Sequence, residues 1–152
     1  MRYLRYAPHS VYELTVHLVF VTKYRYQVLT GDVQVRCREL IQQICDAQDV
    51  KIITGVVAKD HVHIHVSYPP SLSISELVRR IKGRSGRKLL MEYSQLKKRY
   101  WGGNFWAIGY GAWSSGNVTR EMINEYIETH NQKPNHGDDE YFTLDIETKG
   151  KG

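Results

Sequence analysis

Apolar and polar residues alternate along positions 11–22, with Tyr12, Leu14, Val16, Leu18 and Phe20 on one face and Glu13, Thr15, His17 and Val19 on the other. Side chains of a strand point alternately to opposite sides, so this segment predicts a strand with one buried face. Thr30-Gly31-Asp32 then supplies a helix start, and Val33, Cys37, Leu40, Ile41, Ile44 and Cys45 recur at helical spacing, predicting a helix that ends near Gln48. Residues 50–58 are rich in Ile and Val and predict a second strand. In residues 61–68, Val62, Ile64, Val66 and Tyr68 face one way while His61, His63, His65 and Ser67 face the other. The tight Lys59-Asp60 connection makes these two strands a hairpin.

Pro69-Pro70 breaks the sheet, and Ser73 followed three residues later by Glu76 is a capping box opening a second helix, with Ile74, Leu77, Val78 and Ile81 as its apolar stripe. Residues 105–114 predict a fourth strand, weakened by Gly109 and Gly111. Asn117 or Thr119 caps a last helix whose stripe is Met122, Ile123, Tyr126 and Ile127. The order strand, helix, strand, strand, helix, strand, helix is that of an α+β, ferredoxin-like (βαββαβ) antiparallel sheet with two helices on one face and an extra C-terminal helix. Residues 1–132 form the domain; periodicity vanishes from 133 to 152, which reads as a mobile tail with Tyr141, Phe142, Leu144 and Ile146 available for docking.

Composition narrows the class. At 152 residues, 41% apolar and 24% charged, the chain suits one globular domain and excludes a disordered chain, a fibre or a disulfide scaffold. The longest apolar run, near Leu18 to Val21, is far too short to span a membrane, and the N-terminus lacks a signal-peptide core, so a cytoplasmic location is expected. Cys37 and Cys45, about 12 Å apart on one helix, read as reduced core thiols. The formal charge of +5 is unevenly placed: residues 79–99 hold nine bases against Glu92, a net +8 that leaves −3 elsewhere. Such polarity is the footprint of polyanion binding, with a solvated helix face as the lesser alternative. Gly83 and Gly86 inside that tract each cost a helix roughly 1 kcal/mol against alanine, which calls for a reason such as a closely approaching phosphate backbone.

His61 and His63 lie about 7 Å apart on one strand face, within reach of one metal ion, and Asp60 can accept a ring N–H. Spacing alone leaves an accidental pair as open as a metal site. Two ligands are also too few. Tyr126 and His130, four apart, share one face of the last helix, where His130 can add a ligand; from its place in the apolar stripe alone, Tyr126 reads first as a core tyrosine.

Asp60-His61-Val62-His63-Ile64, His17-Leu18-Val19-Phe20 with Lys23-Tyr24-Arg25, Lys82-Gly83-Arg84-Ser85, Phe105-Trp106 with Gly109-Tyr110, and Asn117-Val118-Thr119 leading to Glu125-Tyr126-Ile127-Glu128 occur in that order. Together, over about residues 9–132, they resemble the single-tyrosine HUH transposases of small insertion sequences that move as single-stranded DNA. The resemblance implies that Tyr126 is the nucleophile, forming a 5′-phosphotyrosine bond, and that His61 and His63 bind Mg²⁺ or Mn²⁺. The family's third ligand, four residues past the tyrosine and commonly glutamine, is here His130, a departure that favours softer ions; Gln132 is a poorer candidate. His65 stands where relatives carry an aliphatic residue and reads as a packing or outer-sphere histidine. The resemblance further implies a homodimer with shared active sites and recognition of subterminal DNA hairpins, and the short connection from Ser114 to Val118, with Gly116, is the place where the last helix could swing. Lys23, Arg25, Lys82, Arg84, Arg87 and Lys88 are the expected DNA contacts, ahead of the aromatic residues Tyr24, Tyr26, Trp101, Phe105 and Trp106. No nucleotide cofactor is expected, since no Walker-type loop is present.

Three other readings compete. A domesticated relative processing repeat hairpins would use the same chemistry, and a non-catalytic single-stranded nucleic-acid-binding module would not need Tyr126 and the histidines. A two-histidine phosphoesterase needs two separate His-x-Ser/Thr motifs, and the chain has one His-x-His cluster.

Overall fold

The computed structural model describes residues 2–114, 116 and 118–130. Asn117, Gln132 and the expected tail at 133–152 lie outside the described residues. The chain forms β1 (Arg5–Ala7), β2 (Ser10–Tyr12), β3 (Thr15–Val21), α1 (Gly31–Ala47), β4 (Lys51–Val57), β5 (His61–Ser67), α2 (Ile74–Glu92), α3 (Ser94–Arg99), β6 (Gly111–Ser114) and α4 (Arg120–Glu128). Strands β4-β5-β3-β6 make one antiparallel sheet in that order. This is the expected α+β plan.

Alternation in β3 and β5 divides the sheet into two faces. Val16, Leu18 and Phe20 of β3 join Val62, Ile64 and Val66 of β5 beneath α1 and α2, in a core that includes Cys37, Cys45, Leu77 and Ile81. Each such fully buried large side chain stabilises the fold by about 1.5–3 kcal/mol relative to exposure. The two cysteines are free and buried, and burial pushes both thiols up to about 12, so they serve as inert core residues.

The first strand is shorter than alternation suggested, and it is buried on both sides. Residues 10–12 instead pair with β1 in a separate hairpin, and β3 begins at Thr15. Val19 and Val21, on the face expected to be open, are 0% and 1% exposed because Ile123 and Ile127 of α4 pack on them. A local alternation pattern cannot reveal a cover supplied from a hundred residues away.

The fourth strand is also shorter than residues 105–114. Trp106 bridges Thr22 and Ala107 N donates to Val21 O, but the ladder resumes only at Gly111. In between, the Lys82 ammonium donates to Ala107 O at 2.7 Å and Gly109 O at 2.8 Å, carbonyls thereby turned away from strand pairing.

Helix α2 starts at its Ser73 cap, which accepts from Glu76 N at 3.1 Å, and continues through both glycines. Gly86 is explained from inside the protein and not by a phosphate. A Cβ there would lie 3.3 Å from the Trp106 ring, and the same ring donates to Ser85 Oγ at 3.0 Å. Around Gly83 there is open space.

Candidate active site

Strand β5 presents its histidines on the face away from α1 and α2, as alternation required. Antiparallel register sets Val21 opposite His61, Val19 opposite His63 and His17 opposite His65. Helix α4, capped by Thr119, which accepts from Met122 N at 3.1 Å, lies over the two valines. The result is a groove of about 360 Å³ whose walls include His61, His63, Val56, Arg120, Ile123 and Asn124.

His61 is oriented from behind. Its Nδ1 lies 2.8 Å from Asp60 Oδ1, while Arg25 Nε donates to Asp60 Oδ2 at 3.2 Å. The hydrogen bond from His61, then the Arg25 charge, holds the Asp60 carboxyl below its usual range against the opposing effect of burial. An ionised Asp60 accepts the Nδ1 proton and leaves Nε2 of His61 with its lone pair for a metal. Burial, then the neighbouring His61 and His65, lowers the His63 pKa and keeps that imidazole neutral, as a ligand must be. The chemistry of this pair therefore fits a divalent ion.

His17 is a participant that sequence reasoning placed on the right face without giving it a role. Its Nδ1 is 3.0 Å from His63 Nε2, and its ring stacks on His65 at 4.0 Å between centroids. Only strand register brings these three rings together. Burial, then His65 and His63, pulls His17 from its ordinary 6.5 down to about 4. The unfolded chain thus binds a proton near pH 6.5 that the folded chain takes up only near pH 4, so His17 reduces stability as pH falls through that window. In chelator, the melting temperature should drop between pH 6.5 and 4, and His17→Asn should flatten that drop; an unchanged profile in the variant would refute the assignment to His17.

The Tyr126 and His130 rings meet at the end of α4, as their spacing predicted, with centroids 4.9 Å apart and planes tilted by 60°. Tyr126 also meets Trp113 edge to face at 6.3 Å, and burial raises its pKa. His130 is 6% exposed, with Nδ1 3.3 Å from Tyr126 O, and burial lowers its pKa. The groove at the histidine pair is lined by the first half of α4, and Tyr126 is absent from its walls. Among the described residues no group of three or more His, Cys, Asp or Glu side chains is arranged to hold a metal. The structure brings His61 and His63 together on one face of β5, and Tyr126 and His130 together at the end of α4.

The six expected DNA contacts divide as well. Arg84, Arg87 and Lys88 are exposed on α2, and Lys23 is partly exposed. Lys82 is engaged with Ala107 and Gly109, and burial lowers its pKa to about 8. The Arg25 side chain is only 14% exposed and faces Asp60.

Residues 10–130 match the model of the family described as "Transposase IS200 like". The chain belongs to this IS200-like transposase family. It is 37% identical over 123 residues to the ISDra2 transposase TnpA of Deinococcus radiodurans, covering 81% of this chain and 88% of that protein. It is 29% identical over 120 residues to the transposase for insertion sequence element IS200 of Salmonella typhimurium, covering 79% of this chain and 78% of that one. A crystal structure of a protein described as a candidate transposase from Deinococcus radiodurans R1 superposes with a TM-score of 0.80 at 30% identity, over 85% of this chain and 99% of that one. A REP-associated tyrosine transposase bound to a REP hairpin shares the fold at a TM-score of 0.50 and 21% identity, over 82% of this chain and 71% of that one. The family supports a function in DNA transposition, by an enzyme that cleaves DNA and transfers strands. No described helix of this IS200-like transposase is long and apolar enough to cross a membrane.

Proposed function

We propose that this transposase cuts and rejoins single-stranded DNA at the ends of an insertion sequence through a 5′-phosphotyrosine at Tyr126. The observation that carries this reading is a pair of clusters: His61, hydrogen-bonded to Asp60, with His63 on one face of β5, and a tyrosine in ring contact with a histidine one turn on, at the end of the helix that crosses the same face. In the first step the Tyr126 oxygen attacks a backbone phosphorus, the phosphorus–O3′ bond breaks, and the proton ends on the departing 3′-hydroxyl. In the second a 3′-hydroxyl attacks the phosphotyrosine and Tyr126 recovers its proton. The phosphodiester energy is conserved in the covalent link, so no nucleotide cofactor is required.

A divalent ion held by His61 and His63, with His130 as a third ligand, would stabilise charge on the phosphoryl oxygens. Mg²⁺ or Mn²⁺ suits oxygen-rich chemistry, while the nitrogen-rich set here also suits softer ions. A tyrosine with a pKa near 10 is ionised about one part in a thousand at neutral pH, and burial makes Tyr126 less acidic still. A homodimer in which α4 of one copy serves the histidine pair of the other would join the two clusters.

For DNA recognition the reading assigns the grip to the exposed bases of α2. Lys82, Gly83, Arg87 and Lys97 line a groove of about 420 Å³ together with Phe105 and Trp106. The exposed Arg87 and Lys97 on its walls suit phosphates, while Phe105 and Trp106, 2% and 6% exposed, form its apolar floor. The hairpin seen with the REP-associated protein of the same fold supports a hairpin as the recognised shape. Replacing Arg84, Arg87 and Lys88 together by Gln should weaken hairpin binding and reduce the slope of log affinity against log salt by about two to three. Titrations at several salt concentrations check this, and an unaltered slope would remove these residues from the interface. The catalytic proposal itself is tested by incubating the protein with single-stranded element ends and Mg²⁺ and looking for a covalent complex on a denaturing gel. A domesticated protein acting on repeat hairpins would give the same complex and is distinguished by the DNA flanking its gene.

A further inference from the structure

We propose that Arg25 is a positioning residue that clasps the end of the tyrosine helix to the carboxylate behind His61, and not a contact to DNA. This rests on the reading of Tyr126 and His61 given above. The turn that carries Arg25 is unusual in its backbone: Tyr24 and Arg25, consecutive and neither of them glycine, have φ of 63° and 54°. Left-handed residues with side chains persist only where the surroundings hold them. Here Thr22 Oγ1 donates to Tyr26 O at 2.8 Å, Arg25 N donates to Thr22 O at 2.8 Å, and the Tyr100 hydroxyl donates to Lys23 O at 3.1 Å. The strained turn sends Arg25 inward.

Its guanidinium then reaches three groups on two elements. Nε donates to Asp60 Oδ2 at 3.2 Å, Nη1 donates to the carbonyl of His130 at 3.3 Å, and Nη1 lies 3.6 Å from Glu128 Oε1. Asp60, itself 13% exposed at the side chain, uses its other oxygen for His61. One chain of contacts thus runs from His61 through Asp60 and Arg25 to His130, just past the Thr129 cap of the tyrosine helix. The helix C-terminus, with its partial negative charge, is the end that a cation stabilises. Helix α4 has nine residues, too few to be stable alone, so its seat on Val19 and Val21 together with the contacts at its ends decides where Tyr126 stands. The planar fork of arginine can serve a carboxylate and a carbonyl together; a lysine cannot reproduce both. A DNA phosphate would have to compete for a guanidinium already paired and largely enclosed.

Amide hydrogen exchange on the full-length, metal-free protein tests the clasp, using Arg25→Gln and Arg25→Lys. In both variants the α4 amides should exchange at least about tenfold faster while those of α1 keep their protection. Hairpin affinity and its salt slope should match the unaltered protein, and cleavage should show a lowered kcat with KM unchanged. Unchanged protection of α4, or equal acceleration in α1, would overturn the proposal. So would a salt slope reduced by about one with α4 still protected, the signature of a lost phosphate contact. Exchange is read without any cleavage, so a protein that loosens α4 in the variants yet never cuts DNA would contradict the functional reading and leave the clasp standing.

Discussion

Replacing Tyr126 by phenylalanine should lower DNA cleavage by on the order of a thousandfold or more and eliminate the covalent protein–DNA species, while hairpin binding stays within about twofold. The reason lies in what the substitution leaves. Phenylalanine keeps the ring that packs against Trp113 and His130, and with it the apolar seat of α4 on Val19 and Val21. Only the phenolic oxygen is lost. Thermal melts should therefore coincide closely for the two proteins. A Tyr126→Phe protein that still forms the adduct would assign the nucleophile elsewhere, and one that loses hairpin binding equally would make Tyr126 a structural residue.

The second large effect is expected at the histidine pair. His61→Ala or His63→Ala should reduce metal-dependent cleavage by about a hundredfold or more, and should weaken binding of Mn²⁺ to the protein without DNA. The two need not fail alike. Removing His61 also strips Asp60 of the hydrogen bond that most lowers its pKa, whereas removing His63 leaves His17 without the partner 3.0 Å from its Nδ1. His61→Ala should thus disturb the Asp60–Arg25 pair as well as the metal, and His63→Ala should disturb the stacked His17 and His65. Cleavage rates titrated with Mn²⁺ check the assignment, and full rates in either variant would remove that residue from the metal site.

Much of this was readable from the chain because it depends on local period. The alternation of β5 separated Val62, Ile64 and Val66 from His61, His63 and His65, and the structure keeps that division. The four-residue interval from Tyr126 to His130 likewise became a ring contact. What escaped depends on distant parts of the chain. Val19 and Val21 are buried by α4, which no pattern within β3 encodes. His17 meets His63 only through strand register, and Arg120 and Asn124 enter the groove only because α4 crosses β3 and β5. Charge counting was the weakest guide. It says nothing of where a side chain points: two backbone carbonyls draw Lys82 inward, and outside the basic tract a left-handed turn sends Arg25 to Asp60. Gly86 is small for the sake of Trp106, a partner twenty residues ahead in sequence.

The central claim, that Tyr126 becomes linked to the 5′ side of a cut strand, meets its most direct test in end-labelled DNA. A single-stranded element end carrying its hairpin is labelled at the 3′ terminus in one sample and the 5′ terminus in another, incubated with the protein and Mg²⁺, and run on a denaturing gel. The account predicts that the 3′ label migrates with the protein, that the 5′ label appears on a free fragment ending in a 3′-hydroxyl, and that Tyr126→Phe abolishes both. Label at the 5′ terminus travelling with the protein, or cleavage with no protein-linked species from either label, would contradict it.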